Sequence, residues 1–496
     1  METVGRGIFC ASCRFGPETG RIFALARGRE VRYTMADFRC KGREGMARSA
    51  VKDLTEGSPV RLVLGFAGPL LFGFLFQQLY SFVDTAIVGR YLSAEALAAV
   101  GSTSSLNFLI LGFCMGICSG FSIPIAQAFG AKDETELRRY VAHSVYLCAV
   151  ISVVMALATG LLCPALLRLM NTPEEILDSA VSYIQLIFFA IPVTVTYNMA
   201  SGIMRSLGDS RTPVIFLAMA AIVNIVLDVA FILVFHLGVM GAALATVISQ
   251  LASGVGCVLV IIKRYPLLRM SKDDLKYRPF FVRQLVGMGI PFGLQYSITA
   301  IGSVMMQTAV NGLGTIAVAA VTAGGKLSAF FACVFDALAS TMATFAGQNI
   351  GARKLERVDQ GLRAAGLIGT IYCLIAVTVV WLWGDRLVGL FIDAKEEQVI
   401  ALAHQFIKTN SAFYIPLLFV NIVRFSIQGM GFTKLAMFAG LAEMVARTLV
   451  AVVFVPLFGF TIACFANPAA WIAADLFLFP CYARCMKHLR LRMRTA

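Results

Sequence analysis

The sequence predicts an all-α polytopic membrane protein with 12 transmembrane helices in two six-helix lobes related by a parallel internal repeat. Three observations lead there: the composition, a series of long apolar stretches, and paired motifs in the two halves. Of the 496 residues 58% are hydrophobic and only 14% charged, and the mean hydropathy is +0.80. A soluble domain carries roughly 25% charged residues, so a soluble enzyme is excluded. The formal charge of +14 could suggest a nucleic-acid binder. In so apolar a chain it is better read as topology, because cytoplasmic connections collect Lys and Arg.

A helix needs about 20 apolar residues to cross the hydrocarbon core. Such stretches occupy 61–85, 103–127, 139–163, 181–205, 213–236, 240–262, 284–309, 317–345, 361–383, 403–428, 435–457 and 461–483. They are continuous runs, unlike the alternating segments of about ten residues expected of a β-barrel. The connections on one side hold Lys132, Arg138, Arg139, Arg205, Arg211, Arg353, Lys354, Arg357, Arg363, Arg424 and Lys434, with seven more bases between Lys263 and Arg283. Those on the other side hold only Arg90, Arg168, Arg386 and Lys395. An even number of crossings then puts both termini in the cytoplasm.

The domain reading follows. Residues 1–57 carry 11 Lys plus Arg against 7 Asp plus Glu and have no apolar core pattern, so they read as a disordered cytoplasmic tail. Met46 opens MARSAVKDLTEGSPVRLVL, which raises the alternative that residues 1–45 over-extend the gene. Residues 58–262 form the N-terminal lobe, 263–283 a basic linker, 284–484 the C-terminal lobe and 485–496 a basic tail. Cys10 and Cys13 make a lone CxxC, a weak metal signal without a second pair, and the four His have no ligand spacing.

The internal repeat is carried by named residues. IAQAFGAK (Ile125–Lys132) returns as AGQNIGAR (Ala346–Arg353), with Gln127, Gly130 and Ala131 matching Gln348, Gly351 and Ala352 at an offset of 221. Pro69 matches Pro291, Ile191-Pro192 matches Ile415-Pro416, and Asn198 and Gly208 match Asn421 and Gly431. Six helices per unit give both halves the same orientation, an architecture of secondary transporters. Helices 1 and 7, and 4 and 10, are expected to be proline-interrupted and to mark the moving or ligand-lining parts.

These residues also carry a family resemblance. FQQLYSFVDTAIVGRYLSAEALAAVG (Phe76–Gly101), the repeated Gln-x-x-Gly-Ala helix ends, and MRSLGDSRTP (Met204–Pro213) with its partner QGMGFTK (Gln428–Lys434) resemble the multidrug and toxic compound extrusion family over roughly residues 55–485. The resemblance implies a two-lobed antiporter of a prokaryotic inner membrane, working as a monomer and exchanging Na⁺ or H⁺ for organic, often cationic, compounds. No further cofactor and no nucleic acid are implied.

An ionisable side chain in a helix centre costs at least about 2.5–3.5 kcal/mol, so it is a functional candidate. Asp84 lies in helix 1, and Asn224 and Asp228 are one turn apart in helix 5. Asp228 is 17 residues past Arg211 and Thr246 is 17 before Lys263, so both sit about 26 Å from the same flank. These oxygen ligands suit Na⁺, and two adjacent carboxyls equally suit a shared proton. The resemblance reinforces the choice, since Asp84, Asn224, Asp228 and Thr246 coincide with the N-lobe coupling positions of prokaryotic members. The C-lobe counterparts of the acids are Met306 and Val450. That lobe instead has Asp336 and Asp475, which lack a base one turn away, and Glu443 and Arg447, whose spacing predicts mutual neutralisation. Lys326 is expected either to snorkel or to reach the cavity, and Gln77, Gln78, Tyr80, Asn198, Asn421 and Gln428 are candidate cavity groups.

Three function classes compete. A flippase for a lipid-linked precursor would need a cavity rich in Arg and Lys, whereas only Lys326 and Arg447 are expected inside the bundle. A membrane enzyme would need a nucleophile with a His partner, and no HExxH, GxSxG or P-loop occurs. A cation-coupled antiporter for small organic substrates fits best.

Overall fold

A computed structural model describes residues 14–15, 22–26, 29–33, 52–92, 94–170, 172–389 and 396–495. Cys10, Cys13, Met46 and Lys395 lie outside the described residues. The chain divides into a unit ending at Lys52 and a second unit from Asp53 to Ala496.

In the first unit β1 (Arg14–Phe15), β2 (Ile22–Ala26) and β3 (Arg29–Tyr33) form an antiparallel sheet in that order, with Arg14 opposite Phe23 and Ala26 opposite Arg29. Ile22, Phe23, Val31 and Tyr33 supply the β-branched and aromatic side chains that favour strands. A wholly disordered tail over 1–57 is therefore corrected at these strands. It is corrected again at Leu54 and Thr55, both buried. The Leu54 N–H donates to Gln348 Oε1 at 2.9 Å, and Lys354 Nζ donates to the Thr55 carbonyl at 3.0 Å, fixing this segment on the helical unit.

The second unit is helical. Its elements are α1 (Pro59–Tyr91), α2 (Ala94–Gly130), α3 (Glu134–Leu169), α4 (Glu174–Phe189), α5 (Ile191–Ser206), α6 (Arg211–Val229) and α7 (Gly238–Arg264). The second half repeats the series as α8 (Pro279–Asn311), α9 (Thr315–Gly351), α10 (Leu355–Val388), α11 (Glu397–Ala412), α12 (Tyr414–Gly429) and α13 (Thr433–Leu449). It closes with the short α14 (Val455–Phe458) and α15 (Phe460–Ala463) and the long α16 (Ala466–Thr495). Ten spans are long and apolar enough to cross a membrane, or twelve when each of two bent pairs is taken as one.

Those pairs, α4 with α5 and α11 with α12, bend by 47° and 53°. Pro192 and Pro416 lie just after the breaks, where a ring without an N–H removes a helix hydrogen bond and crowds the preceding turn. The expected interruption of helices 1 and 7 is not found. Pro69 and Pro291 lie inside continuous helices. Each has glycine four residues earlier, Gly65 and Gly287, whose backbone has the freedom to yield to the ring.

The halves share features that no residue pattern announces. A π-helical turn follows α6 at Ala230–Val234, and another follows α13 at Val450–Phe454. Gly208 and Gly431 take positive φ of 86° and 95° at equivalent turns.

Contact between the halves is reciprocal at the Lys- and Arg-rich end, here the basic end. Gln127 Nε2 donates to the Gly429 carbonyl at 2.9 Å, and its repeat mate Gln348 donates to the Ser206 carbonyl at 2.8 Å. The helix ends approach so closely that a Cβ on Gly130 would lie 1.9 Å from the Gln348 carbonyl oxygen, and one on Gly351 1.9 Å from that of Gln127. Farther along, Gly116 and Gly120 of α2 meet Gly293 and Gly289 of α8 backbone to backbone. The lobes are thus closed on one another at the basic end. The linker is held there too, by Asp274, which accepts from Ser271 and from Arg138 Nε at 3.1 Å.

Candidate functional site

The first half of α1 contributes Leu62, Val63, Phe66 and Leu70 to the core of the C-terminal lobe. Its second half returns to the N-terminal lobe, packing on α6, where a Cβ on Gly73 would meet Val214 at 2.8 Å. This path delivers Asp84 to the face of α6 that carries Asn224 and Asp228, both fully buried.

The structure brings together all four residues singled out in that lobe. The Asp84 and Asp228 carboxyls are within hydrogen-bonding reach of each other. With its amide nitrogen toward Asp228, Asn224 donates to Oδ2 at 2.8 Å and accepts from the Thr246 N–H at 3.1 Å. The Tyr80 hydroxyl is 3.3 Å from Thr246 Oγ1, and Tyr183 of α4 lies near both carboxyls. One oxygen of each acid, Asp84 Oδ1 and Asp228 Oδ1, is buried without a partner. Buried unpaired acceptors are costly, and a proton or a small hard cation would satisfy both at once. The π-helical turn begins two residues after Asp228; such turns break the regular ladder and recur at functional sites. Tyr80 was a cavity candidate only, and Tyr183 was not singled out, because an aromatic in a helix reads as packing until its neighbours are known.

The C-terminal lobe holds a different constellation. Glu443 does not take Arg447 as its partner but pairs with Arg424 of α12, Nη2 to Oε1 at 2.7 Å. Sequence spacing finds partners along one helix, and here a neighbouring helix competes successfully. Arg447 keeps Nε and Nη1 unpartnered, and Asp475 of α16 joins the cluster beside Arg424 and Glu443 with Oδ1 unpartnered. Arg424 is therefore a buried lobe residue, not one of the connecting bases.

Asp336 is solvent-accessible on α9 and lies near Tyr296 of α8. Gln77 is exposed on α1. Asn198 and Asn421 donate to carbonyls of their own helices, those of Thr194 at 2.8 Å and Leu417 at 3.0 Å. Lys326 lies over the Phe82 ring, 5.3 Å from its centre, linking α9 to α1. Among the described residues no group of three or more His, Cys, Asp or Glu could hold a metal ion.

Between the lobes, toward the closed basic end, lies a small cavity of about 50 Å³ bordered by α2, α5, α8, α9 and α12. Arg205 lines it. In the sequence this arginine read as a connecting base, since it stands two residues from the helix-ending Leu207-Gly208. The motif around it divides its labour: Asp209 caps α6, accepting from the N–H groups of Arg211 and Thr212 at 3.0 Å each, while Arg205 turns to the cavity.

Two six-span lobes related by a repeat, meeting around a central cavity and closed at one end, are an architecture found among membrane transporters. The chain belongs to the MatE family, whose profile matches it twice, over residues 69–230 and 291–453. It is 31% identical to a probable multidrug resistance protein, YpnP, of Bacillus subtilis, across 75% of this chain and 82% of the relative. It is 26% identical to a FAD transporter of Shewanella oneidensis across 72% and 79%. A multidrug resistance transporter of the family solved in an outward-facing conformation superposes with a TM-score of 0.83 at 21% identity, covering 89% of this chain and 98% of that one. Membership makes this a multi-span transporter of a multidrug efflux family.

Proposed function

We propose that the protein is a cation-coupled antiporter that exports organic compounds, with Na⁺ or H⁺ bound by Asp84, Asn224, Asp228 and Thr246. The observation that carries this reading is the pair of neighbouring carboxyls, each with an orphaned buried oxygen, inside a lipid-spanning lobe. A ligand shifts a conformational equilibrium only by binding one state more tightly than the other. The α1 helix gives occupancy such leverage, because Asp84 stands on the N-lobe half of a helix whose first half is embedded in the C-lobe. A cation that draws the two acids together changes how α1 runs between the lobes, and bending at Pro69 is the expected response. The basic end is assigned to the cytoplasm of a bacterial inner membrane, with both termini on that side and the monomer as the working unit.

The flippase reading gains Arg205, Arg424 and Arg447, more bases than the sequence suggested. Two of them share their cluster with Glu443 and Asp475, so one guanidinium is left for the central cavity, too few for a pyrophosphate cradle. A cation as the sole cargo is not required either, since one relative is named a FAD transporter and FAD carries a diphosphate.

The test is transport of a fluorescent organic dye into proteoliposomes with Na⁺ and pH gradients imposed separately. Dependence on one gradient is expected, abolished by Asp84→Asn and by Asp228→Asn with expression intact. Undiminished gradient-driven export by both single variants would refute the site, and insensitivity of the wild type to either gradient would refute antiport.

A further inference from the structure

A cavity of about 700 Å³ opens at the basic end of the C-terminal lobe, between the start of α10 and the last turns of α16. Five bases line it, Arg353, Lys354, Arg357, Arg490 and Arg494, against one acid, Glu356. Three of the five are partly committed. Lys354 Nζ donates to the Thr55 carbonyl, Arg357 donates to Asn349 Oδ1 at 3.1 Å and to the Gly57 carbonyl at 3.0 Å, and Arg490 pairs with Asp359 at 3.1 Å. Arg353 and Arg494 form no ion pair among the described residues. Like charges gathered in one hollow repel one another, and a single carboxylate partner does not offset five of them.

The other repeat shows that the fold does not require this charge. Lys132 and Arg353 are repeat mates with the same left-handed backbone, φ 59° and 57°. After Lys132 comes Asp133, which caps α3 by accepting from the Glu136 N–H at 2.9 Å, and Glu134 and Glu136 stand in the first turn. In the C-terminal lobe the mates of Asp133 and Glu136 are Lys354 and Arg357, and α10 begins without a side-chain cap. A helix start is partially positive and favours acids. Bases placed there leave a demand for negative charge that the lobe itself does not meet.

The surroundings select the source of that charge. α10 and α16 are both long and apolar enough to cross a membrane, and the cavity residues stand at the ends of these spans. Asp359, which also accepts from the Tyr482 hydroxyl at 2.7 Å, ties the two helices together at this level. On α10 the exposed Leu367, Ile371 and Leu374 follow Gln360 of the cavity by 7, 11 and 14 residues. On α16 the exposed Ala483, Phe479 and Leu476 precede Arg490 by the same intervals. Such intervals stay on one helix face, so an apolar stripe leads away from the cavity along each helix.

We infer that this cavity holds the phosphate headgroup of an anionic phospholipid, phosphatidylglycerol or cardiolipin, with its acyl chains on the two stripes. Arg353 and Arg494 supply charge-assisted hydrogen bonds to the phosphate, joined by the remaining donors of Lys354 and Arg357. Basic pockets beside membrane-spanning helices take such headgroups. A soluble phosphate would meet the bases but leave the stripes unused. The inference is independent of the coupling ion and of the cargo.

The test is native mass spectrometry of the full-length protein in detergent micelles, titrated with dioleoylphosphatidylglycerol or dioleoylphosphatidylcholine. Wild type is expected to take up the first phosphatidylglycerol about tenfold more tightly than phosphatidylcholine. Each base near a membrane surface is worth about fivefold in affinity, so Arg353→Gln with Arg494→Gln should weaken that first binding by at least about tenfold and leave phosphatidylcholine unaffected. The control, Arg269→Gln with Lys272→Gln, removes two bases of the linker at the same end and should keep the preference. All four residues are exposed, and an unchanged Tm without added lipid verifies folding. No preference in wild type, an undiminished preference in the cavity variant, or equal losses in both variants, the mark of diffuse surface charge, overturns the proposal. Millimolar inorganic phosphate at constant ionic strength separates the two sources of phosphate. The lipid adduct is expected to persist, and its displacement would assign the cavity to soluble phosphate and overturn the lipid assignment.

Discussion

Asn224 connects the two acids to the third helix of the site through a side chain with one donor face and one acceptor face. Its replacement by Ala leaves Asp228 Oδ2 without that donor and the Thr246 N–H without that acceptor. We expect a loss of about 1–3 kcal/mol in stability, read as a lower Tm in detergent, and a weaker response of Tm to Na⁺ or pH than in wild type. In the other lobe, Arg424 and Glu443 are a buried pair. Breaking it by Glu443→Gln should destabilise by about 3–5 kcal/mol, and the apolar double replacement Arg424→Met with Glu443→Leu should recover most of that loss. Both outcomes are measurable by thermal unfolding.

The ends of α2 and α9 are where the two halves approach most closely at the basic end. Gly130 and Gly351 permit a backbone approach that no larger residue can share, since either Cβ would fall 1.9 Å from a carbonyl oxygen. Gly130→Ala or Gly351→Ala should therefore pry the basic end apart, lengthening spin-label distances across the α2 and α9 ends and shifting the population away from the closed state. The linker obeys a separate control. Burial pushes the Asp274 carboxyl up, but Ser271 and Arg138 outweigh it and hold the group below its ordinary value. Because the folded value is depressed, its contribution is complete above the ordinary carboxylate value near 4 and is lost as pH falls below it. Hydrogen-exchange protection factors in residues 266–276, taken relative to intrinsic exchange at each pH, should fall below about pH 4 and remain level between pH 5 and 8.

At the scale of the whole molecule, the charge asymmetry and the reciprocal lobe contacts lie at the same end. If that end is cytoplasmic, a cysteine at exposed Lys276 will react with a membrane-impermeant maleimide in inverted vesicles and not in intact cells. Labelling of intact cells would reverse the assigned orientation. The embedding of α1 in one lobe at its start and in the other at its end ties the acid pair to the lobe junction.

Much of this was legible in the amino-acid order. Apolar length sets the number of spans, the repeated Gln-x-x-Gly-Ala ends set the two halves, and the cost of charge in lipid makes Asp84 and Asp228 conspicuous. All three follow from local physics, in which a residue's meaning depends on its neighbours in sequence or on the membrane around every helix. The partner of Glu443, the cavity face of Arg205, the roles of Tyr80 and Tyr183, and the paired π-helical turns depend on which helices stand side by side. Helical spacing reports only contacts along one helix, so it assigned Glu443 to Arg447 and left Arg205 among the surface bases. Only tertiary packing, which chooses between a partner one turn away and one on the next helix, decided these.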